Sequence, residues 1–285
     1  MYKTLIVDSS HLAYRTYFAL VDAEAECHLV QGFIRSLVSI KNKYDIKTII
    51  TTWDSGHTLK SKLYPNYKQK QEIMSESQRE DFFSQMNLLR DILSLLGIKS
   101  CSKQGVEADD IIACLCIHPE VYNIDQSILI LSGDHDLHPL LSLGYVDMLK
   151  PHKEEIYTAD SFREEFPDLE PNQYHLIQSL AGCSGDKVPG VKGIGTKHAA
   201  NLIKKYGNLE NLKNTNDVGR IINLVKDNWD MVELSYQLVT FEEVDPALEI
   251  PKVNLSRAKK ILYSNEMNML LDQWSNVSNL TKLQV

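Results

Sequence analysis

Ile128-Leu129-Ile130-Leu131-Ser132-Gly133-Asp134-His135-Asp136 is a short aliphatic run that stops at a Ser-Gly step and delivers two aspartates. Four branched apolar residues bounded by turn chemistry read as a strand buried on both faces. The same pattern occurs twice upstream: Thr4-Leu5-Ile6-Val7 ends in Asp8, and Thr48-Ile49-Ile50-Thr51-Thr52-Trp53 ends in Asp54. Helical periodicity fills the intervals, over residues 11–19, 30–44, 81–96 and 106–117. Buried strands alternating with amphipathic helices predict an α/β fold around a parallel sheet. Ligands of such sheets bind beyond the carboxyl ends of the strands, so three strand-terminal aspartates point to one functional edge. One aspartate after a strand is ordinary turn chemistry; three in succession are an excess.

The 285 residues are 43% hydrophobic and 24% charged, enough to bury a substantial core. The longest apolar run, residues 111–117, is too short to span a bilayer, and the chain reaches Asp8 before any signal-peptide core could form. Five cysteines without a CxxC pair argue against a disulfide framework, so the expectation is a reduced, cytoplasmic protein with no membrane attachment. A net charge of −8 weighs against nucleic acid only if it is spread evenly. It is not. Residues 57–71 hold Lys60, Lys62, Lys68 and Lys70 without an acid, and residues 187–206 hold five lysines without an acid. The first island lies in an insertion, residues 57–80, with little aliphatic periodicity. Beyond about residue 170 the sheet signals fade and the chain reads as helical.

Gly105-Val106-Glu107-Ala108-Asp109-Asp110 places three acids in the first turn of a helix, with Glu107 and Asp110 three apart and so expected to share a face. Asp134 and Asp136, read as extended, point the same way. Adding Asp8, Asp54 and Asp186 gives eight carboxylates able to converge on one sheet edge. Carboxylates at that density repel one another unless a cation compensates them. All-oxygen ligands suit Mg²⁺ or Mn²⁺, and two such ions about 4 Å apart are a recurrent solution for phosphodiester hydrolysis. His135 and His138 flank the acids without zinc spacing and read as structural.

Pro189-Gly190-Val191-Lys192-Gly193-Ile194-Gly195-Thr196-Lys197 precedes a lysine-bearing helix closed by Gly207. Glycines let the backbone approach a ligand, and the helix start offers free N–H groups to a phosphate. Gly190, Lys192, Gly193, Gly195 and Lys197 are therefore read as a grip on a nucleic-acid backbone.

These motifs together resemble the 5′-nuclease (flap endonuclease) family, which includes the nuclease domain of bacterial DNA polymerase I and free-standing phage 5′→3′ exonucleases. The match runs from Leu5 to about Gly207. It includes residues 7–16, Asp54 with Tyr64-Pro65-Asn66-Tyr67-Lys68, the two acidic motifs and Val188-Pro189-Gly190-Val191-Lys192-Gly193-Ile194-Gly195. The resemblance implies a PIN-like core over residues 1–170 with a helical arch at about 57–85. A helical domain over 171–285 would carry a helix-hairpin-helix motif at about 180–207 that also holds K⁺. It implies a first metal site of Asp8, Asp54, Glu107 and Asp109 with Asp110 close by, and a second that includes Asp134, Asp136 and Asp186. Asp8, Asp109, Asp134 and Lys68 would carry the chemistry, with Lys68 neutralising the scissile phosphate. Tyr14, Arg15, Lys60 and Arg79 would contact DNA, and Tyr67 would stack on an unpaired base.

One position departs from the family. Gly182-Cys183-Ser184-Gly185-Asp186-Lys187 has a cysteine where the resemblance implies the first of two aspartates. A thiol is a poor ligand for a hard cation, so two ions are expected with the second weakened.

The reading is a divalent-metal-dependent 5′→3′ exonuclease and flap endonuclease. Its substrates would be DNA with 5′ flaps or overhangs, RNA primers being a further candidate. No polymerase domain follows, so a stand-alone, monomeric nuclease is expected. Two rivals remain at this stage: a junction-binding protein with feeble chemistry, and a PIN-type ribonuclease.

Overall fold

Strands Thr4–Asp8 (β1), Thr48–Trp53 (β2), Lys99–Ser102 (β3), Ile128–Leu131 (β4), Val146–Lys150 (β5), Glu155–Tyr157 (β6) and Leu248–Glu249 (β7) form one sheet. Their order is β6-β5-β4-β1-β2-β3-β7 in a computed structural model that describes residues 2–21, 27–56, 58–69, 74–151 and 153–280. Strands β1 to β5 are parallel, and β6 and β7 add antiparallel at the two edges. The three strands read from sequence are the buried centre. The additional strands are short and polar or half-exposed, so no continuous apolar run marks them.

The chain leaves β1 toward β2 on one side and returns to β4 on the other, which makes the β1/β4 boundary the topological switch point. Side chains alternate across the sheet. Leu5 and Val7 pack beneath helices α1 (Ser9–Leu20), α2 (His28–Tyr44) and α4 (Glu76–Leu95). Ile6, Ile50 and Ile130 pack on the opposite face against α5 (Ala108–Ile117). Each such fully buried aliphatic side chain contributes on the order of 1.5–3 kcal/mol.

The insertion holds α3 (Leu59–Leu63), and α4 starts at a capping box in which the Ser75 hydroxyl accepts from Gln78 N and Gln78 Oε1 accepts from Ser75 N. His57 and Lys70, with residues 71–73 of the expected arch, lie outside the described residues.

After α6 (Ala159–Glu165), helices α7 (Tyr174–Ala181) and α8 (Thr196–Tyr206) and the helix Trp229–Val239 form the helical region. Ile177, Leu180, Ala199, Ile203 and Val232 share one core with Ile6 and Ile111. The chain then returns: β7 joins β3, and Ala258, Leu262, Met267, Leu270 and Val277 cover the α2–α4 side. No helix among the described residues is long and apolar enough to cross a membrane.

Candidate active site

Asp8 ends β1 with its side chain buried, capping α1 by accepting from His11 N at 3.2 Å and taking a second bond from the Ser132 hydroxyl at 2.8 Å. Asp54 follows β2 and accepts from Ala108 N at 2.8 Å, which ties that strand to the start of α5. Glu107 is the N-cap residue of α5 and Asp109 lies in its first turn. Asp134 follows β4 as the N-cap of a 3₁₀ helix, His135–Leu143, and accepts from Asp136 N at 2.9 Å. The extended reading of residues 132–136 is therefore corrected: the chain turns at Asp134, because the aspartate side chain captures the backbone two residues on.

Six carboxylates, Asp8, Asp54, Glu107, Asp109, Asp134 and Asp186, line one cavity of about 670 Å³ at the carboxyl edge, beside the switch point. Tyr14, Arg15, Phe82, Phe83 and Met86 form part of its wall. Asp136 sits next to it. The Gln178 side-chain amide donates to its Oδ1, and His175 Nε2 is 3.3 Å from its carbonyl. Asp136, Cys183 and Asp186 bring their donor atoms within 4.8 Å of one another.

Lys68 reaches into this acidic cluster. Its ammonium is 3.0 Å from Glu107, 3.7 Å from Asp109 and 3.8 Å from Asp186. The residue sits in the left-handed region, at φ 48°, and its N–H donates to the Asp186 carbonyl at 2.9 Å. A lysine backbone is held there only when its surroundings fix it.

The electrostatics follow from burial. Desolvation pushes Asp8 up to about 6, and burial with the Asp134 charge pushes Asp136 up to about 7. Asp109 is raised by burial and by Asp134, Asp8 and Asp54, against the pull of Lys68. Burial also raises Asp186. Glu107 goes the other way: burial pushes it up, but Lys68 and Lys60 outweigh this and hold it below the usual range.

Carboxylates with raised values keep protons that the unfolded chain has already lost. The metal-free protein is therefore expected to lose stability as pH rises from about 4 through about 7, and a divalent cation should restore it most at the upper end. Thermal midpoints with and without Mg²⁺ at about pH 5, 6, 7 and 8 check this. Midpoints that rise across that range in the absence of metal would contradict it.

Four site expectations need correction. Lys60 is 5% exposed and pairs with Asp110 at 3.1 Å, its ammonium also 3.9 Å from Glu107, so it is no surface contact for a phosphate. Asp110 is equally buried, accepts from Lys60 and from Glu242 N, and does not line the cavity. Tyr67 touches the cavity wall but is also only 5% exposed; its hydroxyl donates to Glu107 and its ring packs with Val188, Leu238 and Val239, which leaves little open ring face for a base. Gly190 is buried as well: a Cβ there would lie 2.2 Å from Gly182 N, and its N–H donates to Ser235. Its glycine serves backbone packing.

The other hairpin residues, Lys192, Gly193, Gly195 and Lys197, are exposed at the entry to α8. Arg79 is exposed on α4, its guanidinium 6.0 Å over the Phe83 ring. His138 is fully buried and stacked on His135 and Tyr157, consistent with a structural role. Sequence reasoning missed Ser132, Thr58 and Gln178, which hydrogen-bond Asp8, Glu107 and Asp136. It also missed Phe83, an aromatic on the cavity wall that is 52% exposed.

Clustered oxygen donors, of which burial pushes Asp8, Asp109, Asp136 and Asp186 upward, fit a hard divalent cation. The end bearing Cys183 fits one less well.

Comparison with known proteins agrees with this geometry. Residues 3–167 match the family model for the 5′-3′ exonuclease N-terminal resolvase-like domain, and residues 169–261 that for its C-terminal SAM fold. A 5′-3′ exonuclease of Aquifex aeolicus is 31% identical over 284 residues, covering 95% of each chain. The thermostable DNA polymerase I of Thermus thermophilus is 34% identical over 215 residues, 74% of this chain and 25% of that protein. Among solved structures, the T5 D15 protein co-crystallised with metal ions superposes with a TM-score of 0.72 at 18% identity, covering 98% of this chain and all of that one. Human GEN1 in complex with Holliday junction DNA gives 0.60 at 17% identity over 93% of this chain and 68% of its own. These two share the fold. With both family models matched in order and a relative similar over nearly its whole length, this chain belongs to the 5′-3′ exonuclease family.

Proposed function

We propose that the protein is a divalent-metal-dependent nuclease that cuts DNA phosphodiesters where a 5′ single strand meets a duplex, releasing short 5′ products. The observation that carries the proposal is six carboxylates converging on one cavity, entered by a lysine from the basic insertion. Asp8, Asp54, Glu107 and Asp109 would hold one ion, and Asp134, Asp136 and Asp186 a weaker second. When bound, such ions lower the pKa of water and stabilise the attacking and leaving oxygens.

The chain's own residues do the rest. Lys68 is placed to leave its carboxylates once cations replace its charge and to pair with a phosphate oxygen instead. Tyr14 and Arg15, on the cavity wall, suit contact with the DNA end. Phe83 takes over the stacking role that burial denies to Tyr67. Lys192, Gly193, Gly195 and Lys197 suit contacts to a phosphate backbone, which read shape and little base sequence. Mg²⁺ at the carboxylates, K⁺ at the hairpin, activity on RNA primers, a monomeric state and a cytoplasmic location complete the proposal.

Paired substrates test the polarity and the structural requirement. A 5′-flap DNA should be cleaved near its junction, while a 3′-flap of the same sequence and the isolated single strand should survive. Equal cleavage of all three would overturn the reading. The backbone grip makes a separate expectation: Lys192→Ala and Lys197→Ala should each reduce the salt slope of duplex binding by about 1, uniformly across sequences. An unchanged slope in both would remove the hairpin from the interface.

A further inference from the structure

We propose that Asp136, Cys183 and Asp186 form a mixed oxygen–sulfur site for a thiophilic divalent cation of the zinc class, beside the all-oxygen set. The inference rests on reading this sheet edge as a metal centre, and it concerns which cation one end of that centre takes.

The three donor atoms lie within 4.8 Å of one another, all on half-buried residues that an ion can reach. A tetrahedral zinc with bonds of about 2.1 Å to oxygen and 2.3 Å to sulfur has donor–donor edges of about 3.5 Å. Closure therefore needs a contraction of roughly an ångström. The thiol is held in place by its backbone: Cys183 N donates to the Val188 carbonyl at 3.1 Å and Val188 N donates back at 2.9 Å. Gly182 and Gly190, pressed together, close that turn from behind. Asp136 is oriented by Gln178 and by His175 at its carbonyl, the kind of outer support that ligating carboxylates receive.

Chemistry then decides the ion. Mg²⁺ takes oxygen donors in octahedral geometry and gains little from sulfur, whereas zinc-class ions favour a thiolate. Coordination replaces the thiol proton, which passes to solvent, and no electron is transferred. Three protein donors leave a fourth position open.

Cd²⁺ is the probe, because a Cd–thiolate bond absorbs in the near ultraviolet. Titrated into the full-length chain, it should raise a charge-transfer band that saturates at one equivalent. Zn²⁺ should displace it, and millimolar Mg²⁺ should not. Cys183→Ser should abolish the band, and Asp136→Asn should weaken the apparent Kd by an order of magnitude while keeping it. Cys183→Asp should show no band and let Mg²⁺ compete. A band that survives Cys183→Ser, or that Mg²⁺ removes as readily as Zn²⁺, overturns the proposal. Flap cleavage by the same preparation separates the two readings: cleavage without a band defeats the mixed site alone, and a band without cleavage defeats the nuclease reading alone.

Discussion

Lys68→Ala should lower flap-cleavage turnover by about 10²–10³, the loss typical of removing one preorganised cationic or hydrogen-bonding group from a charged transition state. The ammonium lies 3.0 Å from Glu107 and within 4 Å of Asp109 and Asp186, at the mouth of the carboxylate cluster. It is the side chain placed to meet a phosphate there once divalent ions take over its carboxylates. Flap affinity in Ca²⁺ should fall by less than about tenfold, since one phosphate contact among many is lost. Metal affinity should hold or rise, because a competing positive charge has gone. Single-turnover cleavage and flap binding on the same variant check this. Equal losses in both would reduce Lys68 to a binding residue.

Asp109→Asn should have the largest effect and should act in opposite directions on activity and stability. Asp109 is half-buried among Lys68, Asp134, Asp8 and Asp54, and desolvation raises its carboxyl. Asparagine keeps the shape and removes the charge. Cleavage should fall by about 10³ or more even at saturating Mg²⁺, a barrier increase of roughly 4 kcal/mol. The metal-free protein should melt higher at neutral pH, because one member of a self-repelling cluster is gone. Activity within tenfold of the original chain would place the chemistry elsewhere.

The sheet was legible because its centre is its most buried part. Thr4–Asp8, Thr48–Trp53 and Ile128–Leu131 lie between other strands and are covered on both faces, so they read as branched, mainly apolar runs, with Thr51 and Thr52 the polar but buried interruption in the second. Glu155–Tyr157 and Leu248–Glu249 are edge strands of two or three residues, below what any pattern detects. The strand-end aspartates followed from topology alone.

Errors in the site came from charge and geometry that only folding reveals. Glu107 and Asp110 are three apart, but Glu107 has extended backbone, at φ −80° and ψ 152°. Both still face the Lys60 ammonium, so they share a side as expected, but only Glu107 reaches the cavity while Asp110 is sealed behind Lys60. Lys60 belongs to a lysine run that reads as a solvated face, yet its partners Asp110 and Glu107 lie some fifty residues away and seal it in the interior. Tyr67 carries no local signal of burial, because the apolar residues around it, Val188, Leu238 and Val239, come from the far end of the chain. Cys183 was legible as a departure. Its closeness to Asp136 and Asp186 was not, since it depends on the Cys183–Val188 bridge.

The most direct test of metal-dependent cleavage at a junction is a 5′-labelled DNA flap cut across a Mg²⁺ titration, beside binding of the same flap in Ca²⁺. The expected result is incision close to the junction, at a rate that keeps rising beyond the Mg²⁺ level that saturates a single tight site. Tight binding in Ca²⁺ with no incision at any level of Mg²⁺ or Mn²⁺ would contradict it, and would mean that a cysteine among the carboxylates has left a junction-binding module.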